Sequence, residues 1–86
     1  MKLLKFGSVW CHACKIQTVL LNTLDLSDFI VEQIDIDNLD RQHLSKMKVH
    51  GIPTLVIQDN QGNEIKRKTG VLTKEQLRLF LGLDNN

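Results

Sequence analysis

The sequence predicts an α/β domain in which a four-stranded mixed sheet carries helices on both faces. Two observations support this class. Apolar patterns follow one another along the chain in the order β-α-β-α-β-β-α, and a C-x-x-C pair comes directly after the first strand. The length of 86 residues predicts one domain spanning residues 1–86. The cysteines should then lie at the carboxyl end of a strand, where open α/β sheets carry their chemistry.

The first strand and the first helix are each indicated by their apolar spacing. Residues 2–8 predict a strand, because Leu3, Leu4 and Phe6 are apolar and Gly7-Ser8 end it. Residues 11–24 predict a helix, because four apolar side chains recur at helical spacing and share one face. Those side chains are Ile16, Val19, Leu20 and Leu24.

A second strand and a short helix follow. Residues 29–35 predict a strand parallel to the first, because a β-α-β connection is right-handed and returns to the same sheet. Asp37 is the predicted cap of the short helix, with Asp40 in its first turn. Leu44 and Met47 should face inward. The first strand is therefore expected inside the sheet.

The second half of the chain predicts a hairpin and a final helix. Residues 54–57 are a continuous apolar run, typical of a strand buried on both faces. Residues 59–63 predict the turn, and residues 64–69 an edge strand. Thr73 and Gln76 have capping-box spacing and should open a helix. Its buried face would consist of Leu77, Phe80 and Leu81.

Composition limits the classes of partner. The chain is 42% hydrophobic and 24% charged, with 11 basic and 10 acidic residues, as in an ordinary globular protein. The basic run at residues 66–68 is too small for a nucleic-acid surface, and we interpret it as a solvated edge strand. Lys5 interrupts the apolar start, so no secretory signal is predicted, and no segment reaches the ~20 apolar residues of a membrane span. We expect a cytoplasmic monomer without membrane or nucleic-acid partners.

The two cysteines carry the main functional hypothesis. As the only cysteines of the chain, at C-x-x-C spacing, they form a redox pair or half of a metal site. Cys11 is predicted near the N-cap of a helix, with Cys14 one turn later on the same face. The unpaired N–H groups there would stabilise a thiolate by about 0.3–2 kcal/mol. Cys11 is thus expected to be the exposed attacking thiol, and Cys14 the more buried thiol that resolves the mixed disulfide.

The histidines leave two questions open. His12, when protonated, would stabilise a Cys11 thiolate and make the pair more oxidising, or else it simply faces solvent. A zinc set could be drawn from Cys11, Cys14, His12, His43 and His50. A second C-x-x-C or an H-x₃₋₅-H pair is absent, so we expect neither a metal nor another cofactor.

Three segments in order give the chain a resemblance to the thioredoxin family over nearly its whole length. Residues 10–14, Trp-Cys-His-Ala-Cys, match the active-site motif of the family. Residues 51–54, Gly-Ile-Pro-Thr, match the segment with its cis-proline, and residues 68–77 resemble its last strand, glycine turn and final helix. The resemblance implies a minimal thioredoxin-like fold. It also implies an enzyme that reduces protein disulfides and is recharged by a thioredoxin-reductase-like or glutathione-based electron donor.

The resemblance further implies how substrates bind. Pro53 would be cis, face the cysteines and block metal binding, while the backbone of Ile52 pairs with a substrate peptide. Gly70 would let that peptide approach closely, and Trp10, Ile52 and Val71 would form an apolar rim. The implied substrate-binding residues are Trp10, His12, Ala13, Ile52, Pro53, Gly70 and Val71.

Several residues depart from the family pattern. The usual first strand and helix are absent, and His12-Ala13 replaces Gly-Pro, which predicts a less reducing pair. Lys5 replaces the buried acid and Gln33 its lysine partner. Lys5 either favours a Cys14 thiolate or extends to solvent. Val19 replaces the proline that kinks the active-site helix, which predicts a straighter helix.

Three alternatives to a protein-disulfide reductase stay open. A glutaredoxin-like, glutathione-dependent enzyme is similar, but classical glutaredoxins have Cys-Pro-Tyr-Cys and lack the tryptophan that Trp10 supplies here. A metal- or cluster-binding module would use the cysteines as ligands. A non-catalytic interaction module would have the fold without the redox activity. The intact cysteine pair argues against this alternative.

Overall fold

The computed structural model describes residues 1–83 and contains one four-stranded sheet and three α-helices. The predicted order of elements is confirmed. Within residues 1–83 none of the helices has the length and apolar character needed to cross a membrane. The elements are β1 Lys2–Gly7, α1 His12–Leu21, β2 Ile30–Asp35, a 3₁₀ turn Ile36–Asn38, α2 Arg41–Met47, β3 Thr54–Gln58, β4 Glu64–Thr69 and α3 Lys74–Leu81.

The sheet has the strand order β2-β1-β3-β4, so β1 lies inside it as predicted. β1 runs parallel to β2 and antiparallel to β3, and β3 and β4 form an antiparallel hairpin. At its carboxyl end, Phe6 is flanked by Ile34 on one side and Thr54 on the other. The segment that follows β1 therefore leaves the sheet from a strand that is hydrogen-bonded to a neighbour on each side.

Side chains of β1 alternate between two cores, one on each face of the sheet. Leu3 belongs to the core shared with α1 and α3, whereas Leu4 and Phe6 belong to the core beneath α2. Helices on both faces are thus confirmed. The first core comprises Leu3, Leu21, Leu55, Ile57, Leu72, Leu77, Phe80 and Leu81; the second comprises Leu4, Phe6, Val49 and Val56, with Leu44 and Met47 packed against it.

The buried face of α1 differs from the prediction. Ile16 is 42% exposed and Val19 is 64% exposed, while Gln17 and Leu21 are each 1% exposed. The other two predicted positions are partly buried against the core. The prediction failed because it assigned the buried face by apolar side chains alone, and a hydrogen-bonded glutamine occupies part of that face. The helix also ends at Leu21, with Asn22 as its C-cap, before residue 24.

The start of α2 is a second correction. Asp40, not Asp37, is the N-cap, and its Oδ1 accepts a hydrogen bond of 2.8 Å from the backbone N–H of His43. Asp37 lies in the preceding 3₁₀ turn, which Asp35 caps. Several aspartates in close succession offer several caps, and spacing alone does not decide which of them the helix uses.

The last helix follows the prediction closely. The Thr73 hydroxyl accepts the Gln76 N–H at 3.1 Å, and the Gln76 side chain accepts the Thr73 N–H at 2.9 Å. Both halves of the capping box are therefore formed. Leu77, Phe80 and Leu81 are buried, as predicted.

The basic run of β4 is not a purely solvated edge. Lys66 and Lys68 are exposed, but Arg67 donates hydrogen bonds to the carbonyl oxygens of Lys48 and Met47 at 2.8 and 2.9 Å. A further pair of hydrogen bonds joins Arg67 to the Glu64 carboxylate and lowers the pKa of that carboxyl. Arg67 thus ties β4 to the end of α2.

The β3–β4 turn is organised by Asp59. Its Oδ1 accepts the backbone N–H groups of Gln61 and Asn63, both at 2.9 Å. These bonds favour the carboxylate, and the one from Asn63 contributes most to lowering the pKa of Asp59 below 3.8. The ionised side chain therefore stabilises the hairpin.

We predict that Asp59→Ala lowers the thermal unfolding midpoint. Because the carboxyl has a lower pKa when folded, its contribution is present above about pH 3.8 and is lost as the pH falls through the folded-state pKa. The difference from the parent should be largest near pH 7 and shrink in acid. Asp28→Ala, at an exposed turn aspartate, is the matched control. Equal effects of the two substitutions at pH 7 would contradict this role.

Candidate active site

The cysteine pair lies at the carboxyl end of β1, as predicted. Cys11 is the N-cap of α1 with extended backbone angles, φ −88° and ψ 107°, and Cys14 lies in the first helical turn. The two residues form a disulfide, with their Cα atoms 5.3 Å apart. One turn of helix therefore brings both sulfurs together without a change in the fold.

The helix N-terminus supplies a hydrogen-bond donor to the first sulfur. The backbone N–H of Cys14 donates to Cys11 Sγ at 3.1 Å. The backbone N–H of Cys11 itself is satisfied by the Ser8 carbonyl at 3.3 Å. N–H groups in a first turn have no partner within the helix, so a negative sulfur at the cap is stabilised there over a neutral one.

The predicted exposure of the two cysteines is wrong for the disulfide form. Cys11 is only 7% exposed, whereas Cys14 is half-buried. The physical reason is a cleft of about 430 Å³ beside α1, which has Cys14 in its wall and leaves that residue open to solvent. Exposure therefore does not distinguish the two cysteines as expected, whereas their positions at the helix N-terminus differ, because only Cys11 is the N-cap.

Gly7, the last residue of β1, lies directly against Cys14. A Cβ atom placed on Gly7 would be 3.2 Å from Cys14 Sγ and 3.3 Å from Cys14 Cβ, closer than ordinary contacts. The lack of a side chain lets Cys14 pack against the strand. From the sequence, Gly7 is expected only to end a strand, although a glycine just before the motif is also a signal for this close approach.

Two loops meet beside the cysteines. The Ile52–Pro53 peptide bond is cis, and Pro53 lines the same cleft as Cys14. The backbone N–H of Gly70 donates to the Pro53 carbonyl oxygen at 2.8 Å. Gly70 has φ of 97°, a conformation that favours glycine. The segments before β3 and after β4 are thereby joined next to the disulfide.

Exposed apolar side chains surround this region. Trp10 is 67% exposed, Val71 43% and Val9, which the sequence analysis did not single out, 76%. Trp10 Nε1 donates to Asp37 Oδ2 at 2.9 Å, so Asp37 holds the indole instead of capping α2. Of the other residues named for substrate binding, His12 is exposed, while Ala13 and Ile52 are half-buried.

A buried glutamine fixes the loop that follows β4. Gln17 Oε1 accepts the backbone N–H of Leu72 at 2.8 Å, and its Nε2 lies 3.5 Å from the Leu72 carbonyl oxygen. The side chain thus ties α1, three residues after Cys14, to the segment that begins with Gly70. The only signal for this role in the sequence is weak: Gln17 is a polar residue one turn before Leu21 on the same helical face.

The residues considered for zinc do not form a site. Within residues 1–83, no group of three or more His, Cys, Asp or Glu side chains could hold a metal ion. His43 instead pairs with Asp40, with Nδ1 2.9 Å from Oδ1, and His50 is exposed.

These features define a class of enzyme: a thiol–disulfide oxidoreductase whose cysteine pair lies on the first helix of a thioredoxin-like sheet. The family model described as Thioredoxin matches residues 1–82. The chain belongs to the thioredoxin family, and its Cys11–Cys14 pair makes it a protein-disulfide oxidoreductase.

Individual relatives agree with this assignment. A thioredoxin of Chlamydia trachomatis is 32% identical over 77 residues, which cover 87% of this chain and 74% of the relative. A mutant thioredoxin from Halobacterium salinarum superposes with a TM-score of 0.78 at 27% identity, covering 93% of this chain and 70% of that one. A malaria-parasite thioredoxin-2, at 21% identity, shares the fold with a TM-score of 0.79, covering 94% and 80%.

We predict that Gln17→Ala lowers the free energy of unfolding by about 1–3 kcal/mol, because it leaves the buried backbone groups of Leu72 without partners. Gln42→Ala, at an exposed position of α2, is the control and should change stability little. Chemical denaturation measures both. A Gln17→Ala variant as stable as the control would show that the link between α1 and the loop is not stabilising.

Proposed function

We propose that this protein reduces disulfides in other proteins, with Cys11 attacking and Cys14 resolving. The observation that carries the proposal is the N-cap position of Cys11, whose sulfur accepts the Cys14 N–H at 3.1 Å. In the reduced form this donor favours the Cys11 thiolate, and the thiolate is the nucleophile in disulfide exchange.

The two steps balance in atoms and electrons. The Cys11 thiolate attacks one sulfur of the substrate disulfide, forms a mixed disulfide and releases the other sulfur as a thiolate, which takes up a proton. Cys14, after losing its proton, attacks the Cys11 sulfur and releases the second substrate thiolate. The product is the Cys11–Cys14 disulfide seen in the structure, so two electrons have passed to the substrate.

Substrate binding is proposed at the junction of the loops. Neither the N–H nor the C=O of Ile52 makes a hydrogen bond among residues 1–83, so both can pair with an extended peptide. Gly70 presents no side chain to obstruct that peptide. Trp10 and Val71 add apolar contact area on either side. His12 and Ala13, between the cysteines, complete the surface that meets the disulfide.

The oxidised pair requires an electron donor. We propose a reductase resembling thioredoxin reductase, acting in the cytoplasm as part of an electron-transport chain that ends in protein thiols. Both cysteines of the chain belong to one redox pair, which leaves none for a structural disulfide. This supports a reducing compartment such as the cytoplasm, where structural disulfides are rare. Turnover supported by glutathione alone would assign the protein to the glutaredoxin-like alternative.

The order of the cysteines is tested by single substitutions. We predict that Cys14→Ser traps a mixed disulfide between Cys11 and substrate, because no resolving thiol remains. Cys11→Ser should abolish reduction, and the double variant should trap nothing. Non-reducing electrophoresis and mass spectrometry identify the adduct.

Two outcomes would contradict the proposal. Sustained multiple turnover by Cys14→Ser would replace the dithiol route with a monothiol route. Adducts formed through Cys14 in the Cys11→Ser variant, at the rate seen through Cys11 in Cys14→Ser, would reverse the assigned roles.

A further inference from the structure

A cleft of about 430 Å³ adjoins Cys14, and the reaction proposed above assigns no occupant to it. It lies on the side of the sheet that carries α1, and Cys14 forms part of its wall. Apolar side chains, including Val19, Pro53 and Leu55, make up much of the rest. This size and this largely apolar wall are typical of sites for small organic molecules.

Lys5 brings a positive charge into the cleft. It lies two residues before Gly7 on the same face of β1, and Gly7 is the residue that packs against Cys14. Its neighbours in the sheet register, Gln33 and Leu55, are uncharged. Among the ion pairs formed within residues 1–83, none involves Lys5. Partial burial disfavours its ammonium form and lowers the pKa of Lys5.

A hydroxyl in the cleft wall also lacks a partner. Ser8 lines the cleft, and its Oγ is buried without a hydrogen bond to any of residues 1–83. Buried hydroxyl groups are nearly always hydrogen-bonded in native proteins. Because this oxygen is not exposed to the cleft, Ser8 borders the cleft without offering its hydroxyl to an occupant.

The charges around the cleft favour an anion. The charged residues of the wall are Lys5, Lys15 and Asp35, which sum to one positive charge. The carboxylate of Asp35 is occupied in capping the 3₁₀ turn, where its Oδ1 accepts the Asp37 N–H at 2.9 Å. Lys5 is therefore the half-buried charge that an occupant would neutralise.

We propose that this cleft binds a small organic anion, with its carboxylate or sulfonate group beside Lys5 and its apolar body against Val19 and Leu55. The occupant would lie against Cys14 and Pro53, which both line the cleft. The cleft adjoins the proposed peptide-binding surface at Pro53. Binding of a small anion beside Lys5 does not depend on which substrate class that surface accepts.

Two probes of matched shape test the charge requirement. Naphthalene-2-carboxylate carries the anionic group, and naphthalene-2-carboxamide is its uncharged counterpart. Each is titrated into the oxidised protein and followed by calorimetry and by amide chemical shifts. We expect the carboxylate to bind one-to-one and about tenfold more tightly than the amide. The difference corresponds to one additional hydrogen bond between charged groups.

Variants at two lysines of the same strand provide the control. Lys5→Met should weaken carboxylate binding about tenfold and leave amide binding unchanged, while Lys5→Arg should keep the preference for the carboxylate. Lys2→Met is the matched control, because Lys2 lies on the other face of β1 and pairs with Glu32 at 3.6 Å. Its carboxylate affinity should equal that of the parent.

The proposal is overturned if the parent protein binds both probes equally well. It is also overturned if neither probe gives saturable binding at millimolar concentration, which would leave water as the occupant of the cleft. The comparison of acid and amide in the parent protein decides the question even if Lys5→Met fails to fold.

Discussion

The hydrogen bond from the Cys14 N–H to Cys11 Sγ is the interaction on which the proposed mechanism depends. It exists because Cys11 ends the loop after a central strand and caps the helix that follows. The paired strands on both sides of β1 hold that helix start in place. The same geometry sets the second cysteine one turn away, within bonding reach of the first. A helix N-terminus therefore provides both the activation of one thiol and the position of the other.

Contacts outside the motif hold the loops beside the disulfide, where substrate binding is proposed, in position. The Gly70 N–H bonds to the Pro53 carbonyl, and Gln17 holds Leu72, so the loops before β3 and after β4 are tied to each other and to α1. Trp10 is held by Asp37, on the far side of the motif. None of these bonds touches the sulfurs. Together they keep the free backbone groups of Ile52 within one surface that includes the disulfide.

The sequence predicted those features that local chemistry determines. The capping box at Thr73, the β-α-β order and the placement of the cysteines at a strand end all follow from residue type and spacing. Prediction from the sequence failed at features that depend on residues distant in sequence. Ile16 is apolar yet exposed, because a distant backbone segment satisfies a buried glutamine beside it. The choice between Asp37 and Asp40 as cap depended on Trp10, far away in sequence, and the exposure of Cys14 depended on a cleft that several elements enclose.

Competitive alkylation of the reduced protein tests the central claim most directly. Burial in the oxidised form would make Cys14 the more accessible thiol, whereas the helix N-terminus makes Cys11 the more nucleophilic one. Limiting iodoacetamide at neutral pH, followed by peptide mass spectrometry, gives the ratio of the two rates. We predict that Cys11 is modified faster than Cys14. Equal rates, or faster modification of Cys14, would contradict the claim that the helix N-terminus selects the attacking cysteine.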